Sequence, residues 1–120
     1  MAQFLVHIHT GPNDPTKATL GCLVAATALK DGHDVDIFIA GDGVHLFAPD
    51  SLATLEGLGI GQLGEIVAAI NEAGGNFYLS GRSANARGYD DSILKGHRAQ
   101  FAMPSRLVEL ASKADTVLCY

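Results

Sequence analysis

Tryptophan is absent from the chain, the other aromatics amount to five Phe and three Tyr, and the two cysteines, Cys22 and Cys119, stand far apart with no CxxC neighbour. The scarcity of aromatic rings leaves little for a base-stacking platform, and the cysteine spacing excludes a dithiol redox pair or a zinc knuckle. Eight basic residues are scattered among thirteen acidic ones for a formal charge of -5. That balance argues against nucleic acid as a partner, since such a surface needs a clustered basic face. No apolar run approaches the roughly 20 residues of a membrane span, and no basic segment precedes the first strand-like run, so no membrane contact and a cytoplasmic location are expected. The trio Gly41-Asp42-Gly43 lacks the GxGxxG spacing and the acidic partner of a dinucleotide fingerprint. No cofactor is expected. There is no internal repeat, linker or low-complexity tract.

What remains is a chain of 120 residues, 48% hydrophobic and 18% charged, long enough for one domain over residues 1–120 with a real core and too short for two. Phe4-Leu5-Val6-His7-Ile8-His9 is a near-continuous apolar run, as in a strand buried on both faces of a parallel sheet. Asn13-Asp14-Pro15-Thr16 offers an N-cap acceptor followed by proline, and the spacing of Ala18, Cys22, Ala25 and Leu29 predicts a helix from about Pro15 to Asp31, stopped by Gly32. A second strand follows at Val35 to Ala40. Beyond Val44 the pattern is irregular, with a short helix begun by Pro49-Asp50-Ser51 and carrying Leu52, Leu55 and Leu58. A helix over Gly61 to Ala73, a strand over Asn76 to Leu79, a helical turn within Tyr89 to Leu94, a strand over His97 to Ala102, a helix over Pro104 to Lys113 and a strand over Thr116 to Cys119 complete the order. This alternation predicts an α/β fold: a three-layer α/β/α sandwich around about five mainly parallel strands.

In such sheets ligands settle at the carboxyl ends of the strands, and that edge collects Thr10, Gly11, Asp42, Gly43, Ser80, Gly81 and Ser83. The stretch from Phe77 to Gly88 is its centre, a strand delivering a polar loop. Ser80 and Ser83 supply hydroxyls, Gly81 permits a tight turn, and Arg87 supplies a flat cationic fork suited to a small anion. Each has a plainer role: local turn bonding for the serines, a salt bridge or capping contact for Arg87, a cap for Asp42. His9 near Ser80, with Asp42 beyond, would outline a hydrolase triad if the first and third strands were neighbours, although the GxSxG elbow is missing. His7 and His9 alternate onto one face but fall short of the three protein ligands a metal site needs, so no metal is expected. Both cysteines read as buried structural thiols.

Taken together, Thr10-Gly11-Pro12-Asn13-Asp14-Pro15-Thr16-Lys17-Ala18, Gly32-His33-Asp34-Val35, Phe38-Ile39-Ala40-Gly41-Asp42-Gly43-Val44, Tyr78-Leu79-Ser80-Gly81 and Ala86-Arg87-Gly88 resemble the DsrE/DsrF-like family of small α/β proteins associated with sulfur relay. The resemblance implies a flavodoxin-like sandwich that assembles as a homotrimer or homohexamer, or with a sulfur-relay protein partner. It also implies a persulfide-carrying cysteine at the end of the third strand, a position that here holds Ser80, with Ser83 where some members have another cysteine. A serine hydroxyl ionises far less readily than a thiol and cannot hold sulfane sulfur. The resemblance therefore points to a non-catalytic or divergent member, a small-anion or small-molecule binding or assembly subunit, with Cys119 near a mobile chain end, or a partner's cysteine, as the alternative sulfur carrier.

Overall fold

The computed structural model describes residues 1–120. The order is β1 (Gln3–Ile8), α1 (Pro15–Lys30), β2 (Asp34–Ile39), a 3-10 helix (Gly41–Phe47), α2 (Pro49–Thr54), β3 (Glu56–Gly57), β4 (Gly61–Gln62), α3 (Leu63–Glu72), β5 (Asn76–Ser80), α4 (Gly81–Ala86), a second 3-10 helix (Asp91–Leu94), β6 (Ala99–Ala102), α5 (Pro104–Lys113) and β7 (Thr116–Cys119). The main sheet has five strands in the order β6-β5-β2-β1-β7, every neighbouring pair parallel. The short β3 and β4 form an antiparallel pair beside it.

Alternating side chains divide the sheet between two layers. On one face Val6, Ile8, Ile37, Ile39, Phe77 and Leu79 pack with Ala18, Cys22 and Ala25 of α1 and with Leu63, Val67 and Ile70 of α3. On the other, Leu5, Phe38 and Tyr78 meet Leu107, Leu110 and Ala111 of α5, a helix that buries none of its residues fully. Ala84 of α4 belongs to the first cluster. β5 therefore hands the chain to one layer while its neighbour β6 hands it to the opposite one, and the carboxyl end of β5 stands at a topological switch point.

Several expectations are corrected. The stretch after Ser80 is a helix, α4, and not a polar loop, because Ser80 caps it and Ala84 is buried. The helix expected from Gly61 begins at Leu63, since Gly61 takes φ 126° and Gln62 is the N-cap, accepting from the Glu65 amide. α2 stops at Thr54, so Leu55 and Leu58 are not on it; Leu58 is exposed in the turn between β3 and β4. Cys22 is buried, as expected, which pushes its thiol up to about 12. Cys119 is exposed, because β7 is an edge strand and its register places Cys119 beside His7, near the end of β1.

At the amino edge of the sheet, Asp36 accepts from Gln3 (3.1 Å) and from Asn76 (3.3 Å). Burial, reinforced by the Asp34 charge, raises its carboxyl above the ordinary range against the opposing Asn76 hydrogen bond and Arg106 charge. A raised folded-state value means a contribution that is full at low pH and is lost as pH climbs through that value. The urea midpoint of the natural chain is accordingly expected to fall relative to that of Asp36→Asn as pH rises from about 3.9, the ordinary aspartate value. Parallel pH profiles for the two proteins would remove Asp36 from this role.

Candidate functional site

Three turns meet at the carboxyl edge: Thr10 to Asn13 after β1, the 3-10 helix after β2, and α4 after β5. Ser80 ends β5 and caps α4, its Oγ accepting from the Ser83 amide at 3.1 Å, and it is 8% exposed. The Ser83 hydroxyl in turn accepts from the Gly41 amide at 2.9 Å. Arg87 closes the link. Its Nε and Nη2 donate to Oδ1 of Asp42 at 3.0 and 2.9 Å, and its Nη1 donates to the Ser83 carbonyl at 3.2 Å.

The glycines permit this crowding. A Cβ on Gly11 would press into the Asp42 carbonyl, and one on Gly43 into the Ile8 carbonyl. Gly41 takes φ 56°, a left-handed conformation that favours glycine. Thr10 is half-buried beside this packing, and Gly81 opens α4 where a Cβ would come into ordinary contact with Phe101 on β6. Asp42, Ser80, Ser83 and Arg87 thus form one hydrogen-bonded chain, with Thr10, Gly11, Gly43 and Gly81 shaping its backbone.

Two expected juxtapositions do not form. β2 lies between β1 and β5, so His9 and Ser80 are separated by two strand spacings, about 10 Å, and Asp42 is engaged by Arg87. No hydrolase triad is assembled. Cys119 shares the carboxyl edge but lies three strands from Ser80, about 14 Å. His7 is its register partner. Burial, with the His9 charge adding to it, holds the His7 imidazole below its ordinary range and therefore neutral at pH 7, and its Nε2 is buried without a hydrogen-bond partner. No group of three His, Cys, Asp or Glu side chains converges to hold a metal ion.

A feature missing from the sequence reading is a cleft of about 360 Å³ on the outer side of these turns, lined by Pro12, Asn13, Asp42, His45, Ala48, Ser51 and Tyr89. At three residues per turn, a 3-10 helix stacks positions i and i+3, which brings Asp42, His45 and the residue capping its end, Ala48, to this one wall. Tyr89 arrives from the end of α4, where Gly88 at φ 81° turns the chain and the Tyr89 amide bonds to the Ala84 carbonyl at 3.0 Å. Its hydroxyl meets Nδ1 of His45 at 2.6 Å. The spacing of 42, 45 and 48 is the signal that sequence alone offered. A larger groove, about 890 Å³, runs along α2 and α3 past Asn71 and His97. Several of its polar groups are already spent: Asn71 on His97 and the Arg98 amide, Gln62 on the Leu52 carbonyl. The smaller cleft is the one that adjoins the hydrogen-bonded edge, with which it shares Asp42.

Comparison with known proteins agrees with this architecture. The sequence model of the DsrE/DsrF-like family matches residues 2–120. Among solved structures, the ychN protein from E. coli superposes with a TM-score of 0.80 at 14% identity, covering 100% of each chain. A conserved protein of unknown function from Bacteroides thetaiotaomicron, BT1422, superposes with a TM-score of 0.69 at 16% identity, covering 98% of this chain and 94% of its own. At such identities these two show the fold, a flavodoxin-like sandwich, and nothing more. No curated protein matches the sequence.

Removing the cap should be measurable. Ser80→Ala is expected to lower stability by about 1 kcal/mol, the usual worth of an N-cap hydroxyl. Arg87→Gln should cost no more than about 1 kcal/mol, because its ion pair is exposed, with side-chain exposures of 29% for Arg87 and 58% for Asp42. Urea denaturation decides both, and an unaltered Ser80→Ala protein would show that the cap contributes nothing.

Proposed function

The chain belongs to the DsrE/DsrF-like family, and from that premise we propose that it is a sulfur-relay-related member that does not carry sulfur at the end of β5 and serves as a small-molecule-binding or assembly subunit. The observation that carries this reading is the state of Ser80: an oxygen, largely buried, whose lone pair is occupied as the cap of α4. A sulfur carrier needs a nucleophile substantially ionised near neutral pH, which a thiol of pKa about 8.5 becomes beside donors or cations and a serine hydroxyl does not. Thr10, Gly11, Asp42, Gly43, Ser80, Gly81, Ser83 and Arg87 hold the binding edge in shape.

Assembly into a homotrimer or homohexamer, with a sulfur-relay protein as a further partner, is the second half of the proposal. It is supported by the thinness of the α5 layer, where Val108 is 69% exposed and Met103 and Val117 are also exposed. Apolar side chains grouped on one layer favour contact with another protein surface.

One observation favours a different reading. Cys119 is an exposed thiol on the same edge. As a carrier, its thiolate would attack the terminal sulfur of a donor persulfide, forming a new S–S bond at Cys119 while the donor's S–S bond breaks and its thiolate leaves with the electron pair. Incubation with glutathione persulfide followed by peptide mass mapping separates the two. The first reading expects no added sulfur on the natural chain and loading of the new thiol in Ser80→Cys; sulfur on Cys119 of the natural chain would replace it with the second. For assembly, light scattering coupled to gel filtration should report a trimer or hexamer that Val108→Asp dissociates, whereas a monomeric natural chain would end that half of the proposal.

A further inference from the structure

The cleft beside the capped helix has a charge character distinct from what Arg87 alone would suggest. Arg87 directs two hydrogen bonds at Oδ1 of Asp42 and does not line the cleft, and no other Lys or Arg lines it. Asp42 is thus the one carboxylate that lines the cleft, and its Oδ2 makes no hydrogen bond within the protein. The chain's net charge of -5 has the same sign. An anion entering here would meet the free oxygen of Asp42 before the guanidinium, which lies against the other oxygen at 2.9–3.0 Å and offsets part of the carboxylate's charge.

The remaining wall suits a cation that also donates hydrogen bonds. Tyr89 lines the cleft, held by its 2.6 Å contact with His45, and the face of an aromatic ring attracts ammonium groups. The Asn13 and Ser51 side chains also line it and make no hydrogen bond within the protein. They are free to receive a ligand's polar atoms, unlike Asn71 and Gln62 in the larger groove. We propose that this cleft binds a small organic ammonium compound, with the Asp42 carboxylate as counter-charge, Tyr89 beneath the cation, and Asn13 and Ser51 accepting its remaining donors. Arg87 is a positioning residue that fixes the carboxylate. The volume, about 360 Å³, lies at the small end of ligand cavities. The site uses neither Ser80 nor a cysteine, so it stands or falls apart from the reading of Ser80 above.

Ethanolamine, which carries an ammonium and a hydroxyl, is a suitable probe, titrated at constant ionic strength into the ¹⁵N-labelled full chain. Saturable amide shifts are expected at Asn13, Asp42, His45, Ser51 and Tyr89, with none of that pattern from sodium sulfate. Asp42→Asn should weaken binding at least about tenfold, the lower end for a lost charge-assisted hydrogen bond. It should also let sulfate perturb the backbone around Arg87, whose guanidinium then lacks its anion. Ala48→Leu, which fills the cleft without touching the ion pair, should abolish ethanolamine binding and provides a second variant if Asp42→Asn fails to fold. No saturable response in the natural chain, the same pattern with sulfate, or undiminished binding in either folded variant would overturn the proposal.

Discussion

Parallel pairing of all five main strands is the constraint from which the rest of this molecule follows. Parallel neighbours require crossovers, crossovers in one direction keep to one face, and every strand must release its chain at the same edge. β1, β2 and β5 therefore send their turns into a common space. Backbone polar groups crowded there must be satisfied locally. The Ser83 hydroxyl takes the Gly41 amide, the Ser80 hydroxyl takes the Ser83 amide, and Arg87 takes the Ser83 carbonyl. The polar residues that look like chemistry in the sequence are in large part the fasteners of the edge.

The two roles differ in how much free energy they involve. A cap such as Ser80, largely buried, contributes about 1 kcal/mol and leaves an unsatisfied amide if removed. The exposed Arg87–Asp42 pair contributes less, since solvent screens it, so its chief effect is orientation. By holding one carboxylate oxygen, Arg87 leaves the other without a protein partner and offsets much of the carboxylate's charge.

Much of the fold was legible because its elements carry local signals. The apolar run of β1, the Asp14-Pro15 start of α1 and the Pro104 start of α5 each appear where their chemistry places them. α4 was not legible. Gly-Arg-Ser-Ala-Asn-Ala has turn-like composition, and the helix exists because Ser80 caps it and Ala84 finds the core. The 3-10 helix after β2 was not legible, because Gly41 to Gly43 carry no helical signal and the pattern beyond Val44 is irregular, and with it went the wall shared by Asp42, His45 and Ala48. Strand order lies wholly outside local signals. It puts β2 between His9 and Ser80, and it leaves β7 at an edge, with Cys119 in solvent. The family resemblance reached the same architecture by a separate route, through the order of short motifs.

Position 80 also shows why stability and reactivity pull against each other at such an edge. A thiol there would cap α4 poorly, yet the amide that Ser80 now accepts from would help stabilise a thiolate. Serine takes the opposite share: a better acceptor for the Ser83 amide, a firmer α4, and no ionisable nucleophile. Because α4 positions Arg87 and Tyr89, its firmness is transmitted to the carboxylate of Asp42 and to the His45–Tyr89 contact. Oxygen at this position thus favours a firm cap for α4 over an ionisable group.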